Sequence, residues 1–469
     1  MIARLKSLSL DQIMLGLIAL LVLAVGLVLV SVKLIGIRVR TDLTETNRST
    51  FETITLTFSS PVDPVQVESS FLLEPSIEGR FEWVSSRVMR FIPAGFEPET
   101  DYELVLSAGE MGANGELLRR DKTWSFRTRK PLVAYIHSVK GKRELWVVGA
   151  DGKGARRLLE IESAIADFDA SPDGEFLVVS IVNKLERLDL WLADRDGQNL
   201  EMLLDCEGGN CSTPAISPDG KFLAYSRQAQ GITPFSTLSS PRIYVFDLVN
   251  EKDAPLLADS QLTGYAPIWS PDGKWIASFD DILEIIRVVS IDTGKQVSLS
   301  SPVGTVLGWS PDSQQIAYIT VDETSAGAKT VVLVANLNDG EVSYLAGKQD
   351  AQDYNYSALA WSPVDEEKLV VGYRREPDDV PNRLWLVSPA HFEGKPFAEE
   401  ENHSYNGPVW DPWGKGILFQ QIELSGGDKP ESILWGSAIA LWDPEIVFWE
   451  PEMSSPRAIA DGFSPRWLP

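Results

Sequence analysis

Residues Trp269–Phe279 read WSPDGKWIASF, and close relatives of this stretch recur along the chain. They include ISPDGKFLAYS from Ile216, ASPDGEFLVVS from Ala170 and WSPDSQQIAYI from Trp309. Successive copies lie 40 to 53 residues apart, and their Ser-Pro steps begin at Ser171, Ser217, Ser270, Ser310 and Ser362. A period of this length predicts one supersecondary unit of about four strands, repeated along the chain.

Each copy predicts the same order of strands and turns. The first strand ends in an apolar residue, which in four copies is a tryptophan: Trp269, Trp309, Trp361 and Trp410. In the S-P-D-G turn that follows, proline fixes φ, while aspartate and glycine suit a tight turn. A second strand comes next, as in Lys221–Ser226. The third strands are Leu188–Asp194, Arg242–Leu248, Thr330–Asn336, Asn382–Ser388 and Ala438–Pro444. A turn such as Arg195–Gln198 or Asn338–Glu341 leads to a fourth.

The first and last copies are each incomplete, and their missing parts are complementary. The first copy begins at Pro131–Ser138 and has three strands, without the strand that precedes S-P-D-G elsewhere. The C-terminal Ser464–Pro469, SPRWLP, matches APIWSP at Ala266–Pro271. We therefore predict that the C-terminal strand completes the first copy and closes a ring, which removes exposed sheet edges. Counting gives seven copies, but the fourth strand near Lys395–Glu400 is weakly patterned, so six or eight stay open.

The copies resemble TolB-type, WD-like β-propeller repeats, whose mark is x-W-S-P-D-G-x-x-[IL]-[AV]-[FY]. The resemblance covers residues 131–469 and is strong in four copies. It implies an all-β chain in which each copy is one propeller blade. Ser362–Asp365 (SPVD) and Asp411–Gly414 (DPWG) depart from the mark, which leaves the turn geometry there open. Because the motif specifies a blade, it says little about a ligand.

Between residues 41 and 130, short runs of alternating apolar and polar residues are separated by turn signals such as SSPVDP. Alternation of this kind predicts half-buried antiparallel strands. Asn114-Gly115 is a strong hairpin signal. About seven strands in a segment of this length predict a small β-sandwich. The clearest runs are Thr53–Val62, Arg87–Ala94, Asp101–Ala108 and Lys122–Thr128.

This region resembles a bacterial Ig-like domain of the SbsA type. Members carry an F-S-x-P-V stretch, an F-x-P stretch followed by P-x-T-x-Y, and a closing F-x-T strand. The resemblance implies a non-catalytic extracytoplasmic spacer, and we expect its aromatic side chains in the core of the sandwich. The matching residues are Phe58, Pro61, Val62, Phe91, Pro93, Pro98, Thr100, Tyr102, Phe126 and Thr128.

After a short tail, residues 1–11, the chain is apolar enough to cross a membrane. Gln12–Val32 holds 21 residues without a charge, which suffices for a hydrocarbon core of about 30 Å. A cleaved signal peptide is the alternative, but its apolar region is shorter and ends in an A-x-A-like site, which is missing before Lys33. We predict an uncleaved anchor over residues 12–36.

The orientation of this anchor is not decided by its flanking charges. Arg4 and Lys6 precede the span, whereas Lys33, Arg38 and Arg40 follow it, which mildly opposes export of the C-terminal part. Long domains translocate largely regardless of charge. We expect a single-pass protein of the cell membrane, with the bulk of the chain in the periplasm or on the cell surface.

Net charge excludes some classes of partner. The 42 Lys and Arg residues and 67 Asp and Glu residues give −25. Residues 1–40 hold five basic residues and one acidic residue, so the remainder carries 37 − 66 = −29. Such a surface repels phosphate backbones and anionic lipid headgroups, and nucleic acid is not an expected partner. His137, His391 and His403 match no metal spacing, and we expect no metal or other cofactor.

The two cysteines, Cys206 and Cys211, lie in the short stretch CEGGNC. In an oxidising compartment, this pair is expected to close a small loop through a disulfide. Two reduced thiols in a loop are the alternative. Two cysteines alone supply too few ligands for zinc.

The predicted topology gives the ring two faces. The turn face carries the S-P-D-G turns and the turns from third to fourth strand. The loop face carries the connections from second to third strand and those between copies, and most long loops fall there. Such loops on a rigid scaffold often carry function, although ordinary loop decoration is the alternative. Because aromatic residues and arginine are favoured at binding hot spots, the candidate contacts are Phe235, Tyr354, Tyr356, Arg374, Arg375 and Trp435.

Motifs for catalysis are missing from the sequence. Leu307–Asp312 lacks the second glycine of a nucleophile elbow, and Arg195–Asn199 lacks the terminal glutamate of a calcium loop. We therefore expect a membrane-anchored, non-enzymatic binding or scaffold protein, whose partner is a protein or an envelope polymer. The alternatives are an enzyme that processes envelope glycan or peptide with carboxylates at the propeller channel, and a sensory or structural subunit. The oligomeric state is left open.

Overall fold

The computed structural model describes residues 14–15, 17–23, 36–44, 47–231, 237–304, 306–324, 327–347, 354–375, 381–424 and 444–469. Most of the predicted span 12–32 lies outside these ranges. Residues 14–15 and 17–23 are helical, and no helix in the described part of the chain has the length and apolar character that a membrane crossing requires. The chain divides into an N-terminal domain, Met1–Arg129, and a C-terminal domain, Lys130–Pro469.

The N-terminal domain consists of two sheets around one core, as its alternating sequence predicts. One sheet has the order β1(Val39–Thr41), β2(Ile54–Phe58), β5(Val88–Pro93), β4(Gly79–Ser85). The other has the order β3(Phe71–Glu74), β6(Asp101–Leu106), β9(Lys122–Arg127), and a hairpin joins β7(Gly109–Glu110) to β8(Leu117–Leu118). Four of the aromatic residues that match the Ig-like pattern are at most 4% exposed: Phe58, Phe91, Tyr102 and Phe126.

A short helix, Pro64–Ser70, precedes β3. Asp63 caps it, because its Oδ1 accepts a hydrogen bond from the N–H of Val65 at 3.0 Å, and Pro64 occupies the first turn. Asp at the N-cap followed by Pro is a favoured way to begin a helix. The turn signal SSPVDP does mark the end of β2, but the helix that begins at its last residue was not predicted.

Strand pairing in the C-terminal domain groups its described strands into seven four-stranded repeats. A single parallel residue pair, Leu188 with Asn210, joins the sheets of repeats 2 and 3. In order from first to fourth strand, repeat 1 comprises β37(Phe463–Leu468), β10(Leu132–Val139), β11(Lys142–Gly149) and β12(Arg156–Arg157); repeat 2 comprises β13(Ile165–Ala170), β14(Phe176–Val182), β15(Leu188–Asp194) and β16(Glu201–Leu204); and repeat 3 comprises β17(Asn210–Ile216), β18(Phe222–Gln228), β19(Arg242–Asp247) and β20(Lys252–Pro255). Repeat 4 comprises β21(Tyr265–Trp269), β22(Trp275–Asp280), β23(Ile285–Ser290) and β24(Gln296–Ser300); repeat 5 comprises β25(Leu307–Trp309), β26(Gln315–Thr324), β27(Gly327–Asn336) and β28(Val342–Ala346); repeat 6 comprises β29(Asn355–Trp361), β30(Leu369–Arg374), β31(Arg383–Ser388) and β32(Glu393–Ala398); and repeat 7 comprises β33(His403–Trp410), β34(Ile417–Glu423), β35(Glu445–Trp449) and β36(Arg457–Asp461).

The C-terminal strand completes the first repeat. β37 pairs antiparallel with β10, so that Leu468 lies opposite Leu132 and Trp467 lies opposite Val133. This pairing confirms the closure that the sequence predicts. The fourth strand of repeat 6, which the sequence left weakest, is present as β32 and pairs with β31.

Buried apolar clusters connect the repeats in a closed cycle. Six of the clusters in the described part of the domain each join two consecutive repeats. A further cluster joins repeat 7 to repeat 1, where Leu418 and Phe448 pack with Val133 and Trp467. Because every sheet is covered on both sides, its second strand reads as a nearly continuous apolar run, such as Phe176–Val182.

Each S-P-D-G turn is held by the side chains of its own serine and aspartate. In repeat 4, Ser270 Oγ donates to Asp272 Oδ1 at 2.6 Å and accepts from the N–H of Trp275 at 3.0 Å. Gly273 adopts φ +70°, a region that favours glycine. The same serine-to-aspartate bond recurs at Ser171, Ser217 and Ser310.

The two departing turns keep this function by other means. In repeat 7, Asp411 replaces the serine, and its carboxylate accepts from the N–H groups of Trp413 at 3.0 Å and Gly416 at 2.7 Å. In repeat 6 the turn is one residue longer, and the N–H of Ser362 donates to the carbonyl of Lys368 at 2.9 Å. Aspartate and serine thus both serve as local acceptors for turn N–H groups.

Contacts among the turns confirm that the turn face collects both kinds of turn. Lys295, from a third-to-fourth turn, donates Nζ to the carbonyl of Leu337, which enters the equivalent turn of the next repeat. Asn338 in that turn donates to Gln314, which follows the S-P-D step of the same repeat, at 2.8 Å. The connections from second to third strand therefore lie at the other ends of the strands, on the loop face.

Arg195 locks the closed ring on the turn face. Its guanidinium donates to four carbonyl oxygens within 3.2 Å, and the residue is 9% exposed. Gly174 lies so close to Pro469 that a Cβ would approach the Pro469 nitrogen to 2.8 Å. One side chain therefore ties the start of the domain, its last strand and repeat 2 together, through the carbonyls of Lys130, Gly174, Leu468 and Pro469.

A disulfide joins Cys206 and Cys211 in the connection between repeats 2 and 3. Both cysteines are at most 2% exposed and pack in the cluster between these repeats. The N–H of Cys206 donates to Asp189 Oδ1 at 3.0 Å, and Ser180 Oγ donates to the carbonyl of Cys211 at 2.8 Å. The crosslink thus fixes a loop-face connection to the body of repeat 2.

Replacing both cysteines by alanine is expected to lower the free energy of unfolding by about 2 kcal/mol, because the crosslink removes loop entropy from the unfolded chain. The measurement is urea unfolding with and without a reductant. Reduction should destabilise the wild type and leave the Cys206→Ala, Cys211→Ala variant unchanged. A wild type that is indifferent to complete reduction would contradict this stabilising role.

Candidate functional site

The inner strands of the seven repeats differ in charge at one position. Two residues before the S-P step or its equivalent, five repeats carry Ala215, Ile268, Gly308, Ala360 and Val409. The other two, which are neighbours in the ring, carry Asp169 in repeat 2 and Arg466 in repeat 1. Repeat 2 also has Ala170 at the next position, where most repeats have tryptophan. This break in the pattern is the sequence signal that identifies the site, and it was missed.

Asp169 connects three repeats at this position. Its Oδ1 lies 3.4 Å from Arg466 Nε of repeat 1, and its Oδ2 accepts from the N–H of Ile216 in repeat 3 at 2.8 Å. Asp169 is therefore largely committed to holding neighbouring inner strands together.

Asp167 lies two residues earlier on β13 and on the same side of the strand. Its Oδ1 accepts from the N–H of Phe168 at 2.9 Å, and this is its one hydrogen bond to the residues that the structure describes. Arg143 and Arg466 act electrostatically on it, and Asp167 in turn acts on Tyr265 of repeat 4. Repeats 2 and 4 are not neighbours, so Asp167 and Tyr265 face the centre of the ring. We call these five residues the axial cluster: Arg143, Asp167, Asp169, Tyr265 and Arg466.

Burial raises the pKa values of the acidic groups in the axial cluster. Desolvation raises the pKa of Asp167 and of Asp169, although Arg466 opposes the increase in both. Burial also raises the pKa of Tyr265, and the charge of Asp167 raises it further. A carboxylate with a raised pKa and unused acceptor capacity favours a ligand that brings a proton donor or a positive charge.

Three of the six candidate contacts from the sequence lie near one another in repeat 6 or just before it. Tyr354 is half-buried, with its ring 4.9 Å from that of Tyr373. Arg374 is half-buried and donates Nε to Asn382 at 2.7 Å, whereas Arg375 is exposed and pairs with Glu399 at 3.2 Å. These contacts are internal to the domain, so each side chain is already partly engaged.

Tyr356 is not a surface residue. It begins the buried part of β29, is 3% exposed, and packs in the cluster between repeats 5 and 6. The sequence interpretation placed it in a loop because it follows a polar stretch, but the strand begins one residue before it. Phe235 and Trp435 lie outside the described residues. The axial cluster contains none of the six.

Within the described ranges, no group of three or more His, Cys, Asp and Glu residues is arranged so that it could hold a metal ion. The axial cluster offers two carboxylates, two guanidinium groups and a phenol. These groups suit recognition of a polar ligand by hydrogen bonds and ion pairs.

Comparison with known proteins finds a family match within the N-terminal domain. Residues 39–128 match the family described as a bacterial Ig-like domain. This match confirms the general kind of domain that the sequence resembles.

The chain also has more distant similarities to other proteins. Dipeptidyl-peptidase 5 of Porphyromonas gingivalis is 23% identical over 197 residues, which cover 39% of this chain and 26% of that protein. The chain therefore spans about a quarter of that relative's length. TolB from Acinetobacter baumannii is 17% identical, with a TM-score of 0.40, over 71% of this chain and 80% of that one. Oligogalacturonate lyase from Vibrio parahaemolyticus is 12% identical, with a TM-score of 0.47, over 70% and 85%.

Proposed function

We propose that this chain is a membrane-anchored binding protein of the cell envelope, in which seven repeats form a seven-bladed propeller. The N-terminal Ig-like domain serves as a spacer, and the ring binds a protein or an envelope polymer at the centre of its loop face. The proposal rests on Asp167. Its carboxylate makes one hydrogen bond to the described residues, and desolvation raises its pKa.

The proposal assigns different tasks to the two carboxylates. Asp169 holds inner strands together through Arg466 and the N–H of Ile216. Asp167 keeps acceptor sites for a ligand, and Tyr265, 45% exposed, supplies an aromatic contact across the ring. A partner that inserts an amine, a guanidinium or several N–H groups would satisfy the carboxylate and remove the cost of its burial.

Photocrosslinking tests this proposal in intact cells. p-Benzoylphenylalanine in place of Tyr265 is expected to yield a covalent adduct with the partner. The same probe in place of Lys221, which is exposed on the turn face, is the matched control and is expected to yield none. Asp167→Asn should reduce the yield of the adduct at position 265 at least about tenfold, because the partner loses one charge-assisted hydrogen bond. Equal adducts from both positions, or an adduct indifferent to Asp167→Asn, would refute the assignment.

The second candidate is an enzyme that processes envelope glycan or peptide. The observation that favours it is the pair Asp167 and Asp169, because neighbouring carboxylates with raised pKa values are typical of acid–base sites. Purified protein incubated with peptidoglycan fragments and with a mixed peptide library distinguishes the two. Product that disappears in both Asp167→Asn and Asp169→Asn supports the enzyme, and binding without product supports the binding protein.

Asp167→Asn is expected to stabilise the protein at neutral pH while it weakens binding. The raised pKa means that ionised Asp167 costs free energy in the folded state, and asparagine keeps an oxygen for the N–H of Phe168. Wild-type stability should therefore fall as the pH rises from the ordinary carboxylate range through the raised pKa. Urea unfolding across this range should show the advantage of the variant appearing with rising pH and vanishing in acid.

The matched control for this measurement is Asp281→Asn, at an exposed aspartate in a loop-face connection of repeat 4. It should change stability by less than about 0.5 kcal/mol at every pH, as exposed substitutions usually do. An Asp167→Asn variant that is less stable than the wild type at neutral pH would mean that the carboxylate is structural.

A further inference from the structure

A groove of about 410 Å³ follows the seam where repeat 7 meets repeat 1, and it shares no lining residue with the axial cluster. Its floor and one wall come from strands β10 and β11 of repeat 1, and its other wall comes from β36 of repeat 7. The lining residues are Tyr135, His137, Trp146, Ala155 and residues 458–461. A concave site of this size with few polar groups has the dimensions of a small-ligand site.

Hydrogen-bonding groups converge on this groove. Tyr135 is 3% exposed, and its hydroxyl makes no hydrogen bond to the residues that the structure describes. Burial raises the pKa of Tyr135 to about 12, with a contribution from Asp461, so its hydroxyl keeps its proton at neutral pH. Although the residue is nearly buried, its hydroxyl oxygen is accessible from the groove, where a ligand can form a hydrogen bond with it.

His137 presents an acceptor beside this hydroxyl. Its Nδ1 lies 2.7 Å from the carbonyl oxygen of Asp461. A carbonyl oxygen only accepts, so Nδ1 carries the proton, and Nε2 of the neutral ring is the acceptor. The exposed carboxylate of Asp461 adds further acceptors at the rim.

Trp146 gives the groove an aromatic wall that is held in place on two sides. Its ring lies 5.3 Å from that of His137 at an interplanar angle of 75°, and its Nε1 donates to Glu144 at 3.3 Å. On the opposite wall, Ala458 and Ala460 have small side chains, which leaves room for a ring. Aromatic side chains combine a broad apolar surface with defined orientation.

The charges around the groove indicate whether a neutral ligand or a cation would bind there. Glu144 is already paired with Arg157 at 3.5 Å and lies 4.0 Å from Lys142. Asp461 is then the remaining carboxylate of the groove, and it lies at the exposed rim rather than at the floor. The floor thus offers a phenol and an imidazole, which suit neutral hydroxyl groups better than a cation.

We propose that this groove binds a neutral pyranose ring, with its apolar face against Trp146 and its hydroxyl groups on Tyr135, His137 and Asp461. The ligand class is a neutral saccharide. The inference concerns different residues from those of the axial cluster, and it can fail or hold whatever the partner of Asp167 proves to be.

The test is saturation-transfer NMR on the full chain, free of sugar-based detergents, with maltotriose, cellotriose and chitotriose as probes. Transfer to ring protons of at least one trisaccharide is the expected result, with an affinity measured by calorimetry. Tyr135→Phe, which keeps the ring and removes the hydroxyl, should weaken that affinity about fivefold or more. Ala458→Trp, at an exposed position of the wall, should abolish transfer by filling the groove.

Tyr344→Phe is the matched control, since it removes the hydroxyl of a 42% exposed tyrosine in repeat 5, and it should leave the affinity unchanged. Circular dichroism and thermal melts establish whether each variant is folded. If the Ala458→Trp variant does not fold, the affinity of the Tyr135→Phe variant alone tests the proposal. The absence of transfer from all three probes, or transfer that survives both variants, overturns the proposal. Transfer from N-acetyl-lysine amide in place of the sugars overturns the neutral-ring assignment.

Discussion

Deleting residues 463–469 is expected to abolish the cooperative unfolding transition of the C-terminal domain. β37 is the first strand of repeat 1, and its Phe463, Trp467 and Leu468 are at most 8% exposed. Burial of three such side chains contributes roughly 5–9 kcal/mol. The net stability of a whole domain is about 5–15 kcal/mol. The loss would therefore leave little or no folded ring.

Complementation provides the control for this deletion. A synthetic peptide of residues 462–469 added in trans should restore the transition, and a peptide with Trp467→Ala and Leu468→Ala should not. Tryptophan fluorescence during urea unfolding reports on the domain, because Trp269, Trp309, Trp361 and Trp410 lie in its interior. A truncated chain that unfolds at the wild-type midpoint would show that the closure is dispensable.

Arg195→Ala is expected to lower the free energy of unfolding by about 3–5 kcal/mol. The substitution leaves four carbonyl oxygens without their donor, and a buried polar group without a partner costs about 1–3 kcal/mol. Arg195→Lys should fall between the variant and the wild type, because an ammonium reaches fewer of these oxygens than a guanidinium. The measurement is the urea midpoint at constant slope.

Arg156→Ala is the matched control for Arg195. Its guanidinium is about half exposed and lies 3.8 Å from Asp196 in the same turn that carries Arg195. Exposed ion pairs contribute about 0–1 kcal/mol, so this variant should be nearly as stable as the wild type. An Arg195→Ala variant within the same margin would contradict the idea of a lock.

The fold followed from the repeat pattern except in repeat 7, where the third strand is Glu445–Trp449 rather than the predicted Ala438–Pro444, of which only Pro444 is among the described residues. The S-P-D-G spacing, the three-stranded start and the SPRWLP ending together predicted the pairing of β37 with β10. The alternating runs predicted β2, β5, β6 and β9 of the N-terminal domain within a few residues. The helix Pro64–Ser70 was missed because its seven residues are too few for a helical period to stand out.

The axial cluster was missed for a different reason. Known motifs occupy single stretches of sequence, whereas Asp169 and Arg466 are nearly 300 residues apart and become neighbours only when the ring closes. An alignment of the copies against each other, position by position, would have found both charges. The predicted contacts came from the long loops instead, and one of their aromatic residues, Tyr356, belongs to the core.

The pairing of β10 with β37 also governs the order in which the chain can finish folding during synthesis. Leu132 leaves the ribosome 468 − 132 = 336 residues before Leu468. At about 5–20 residues per second, repeat 1 waits roughly 17–67 s for its inner strand. Throughout that interval β10 presents an open edge to any other extended chain, so a holding factor that shields this edge during translation or export would act at the N-terminal end of the ring.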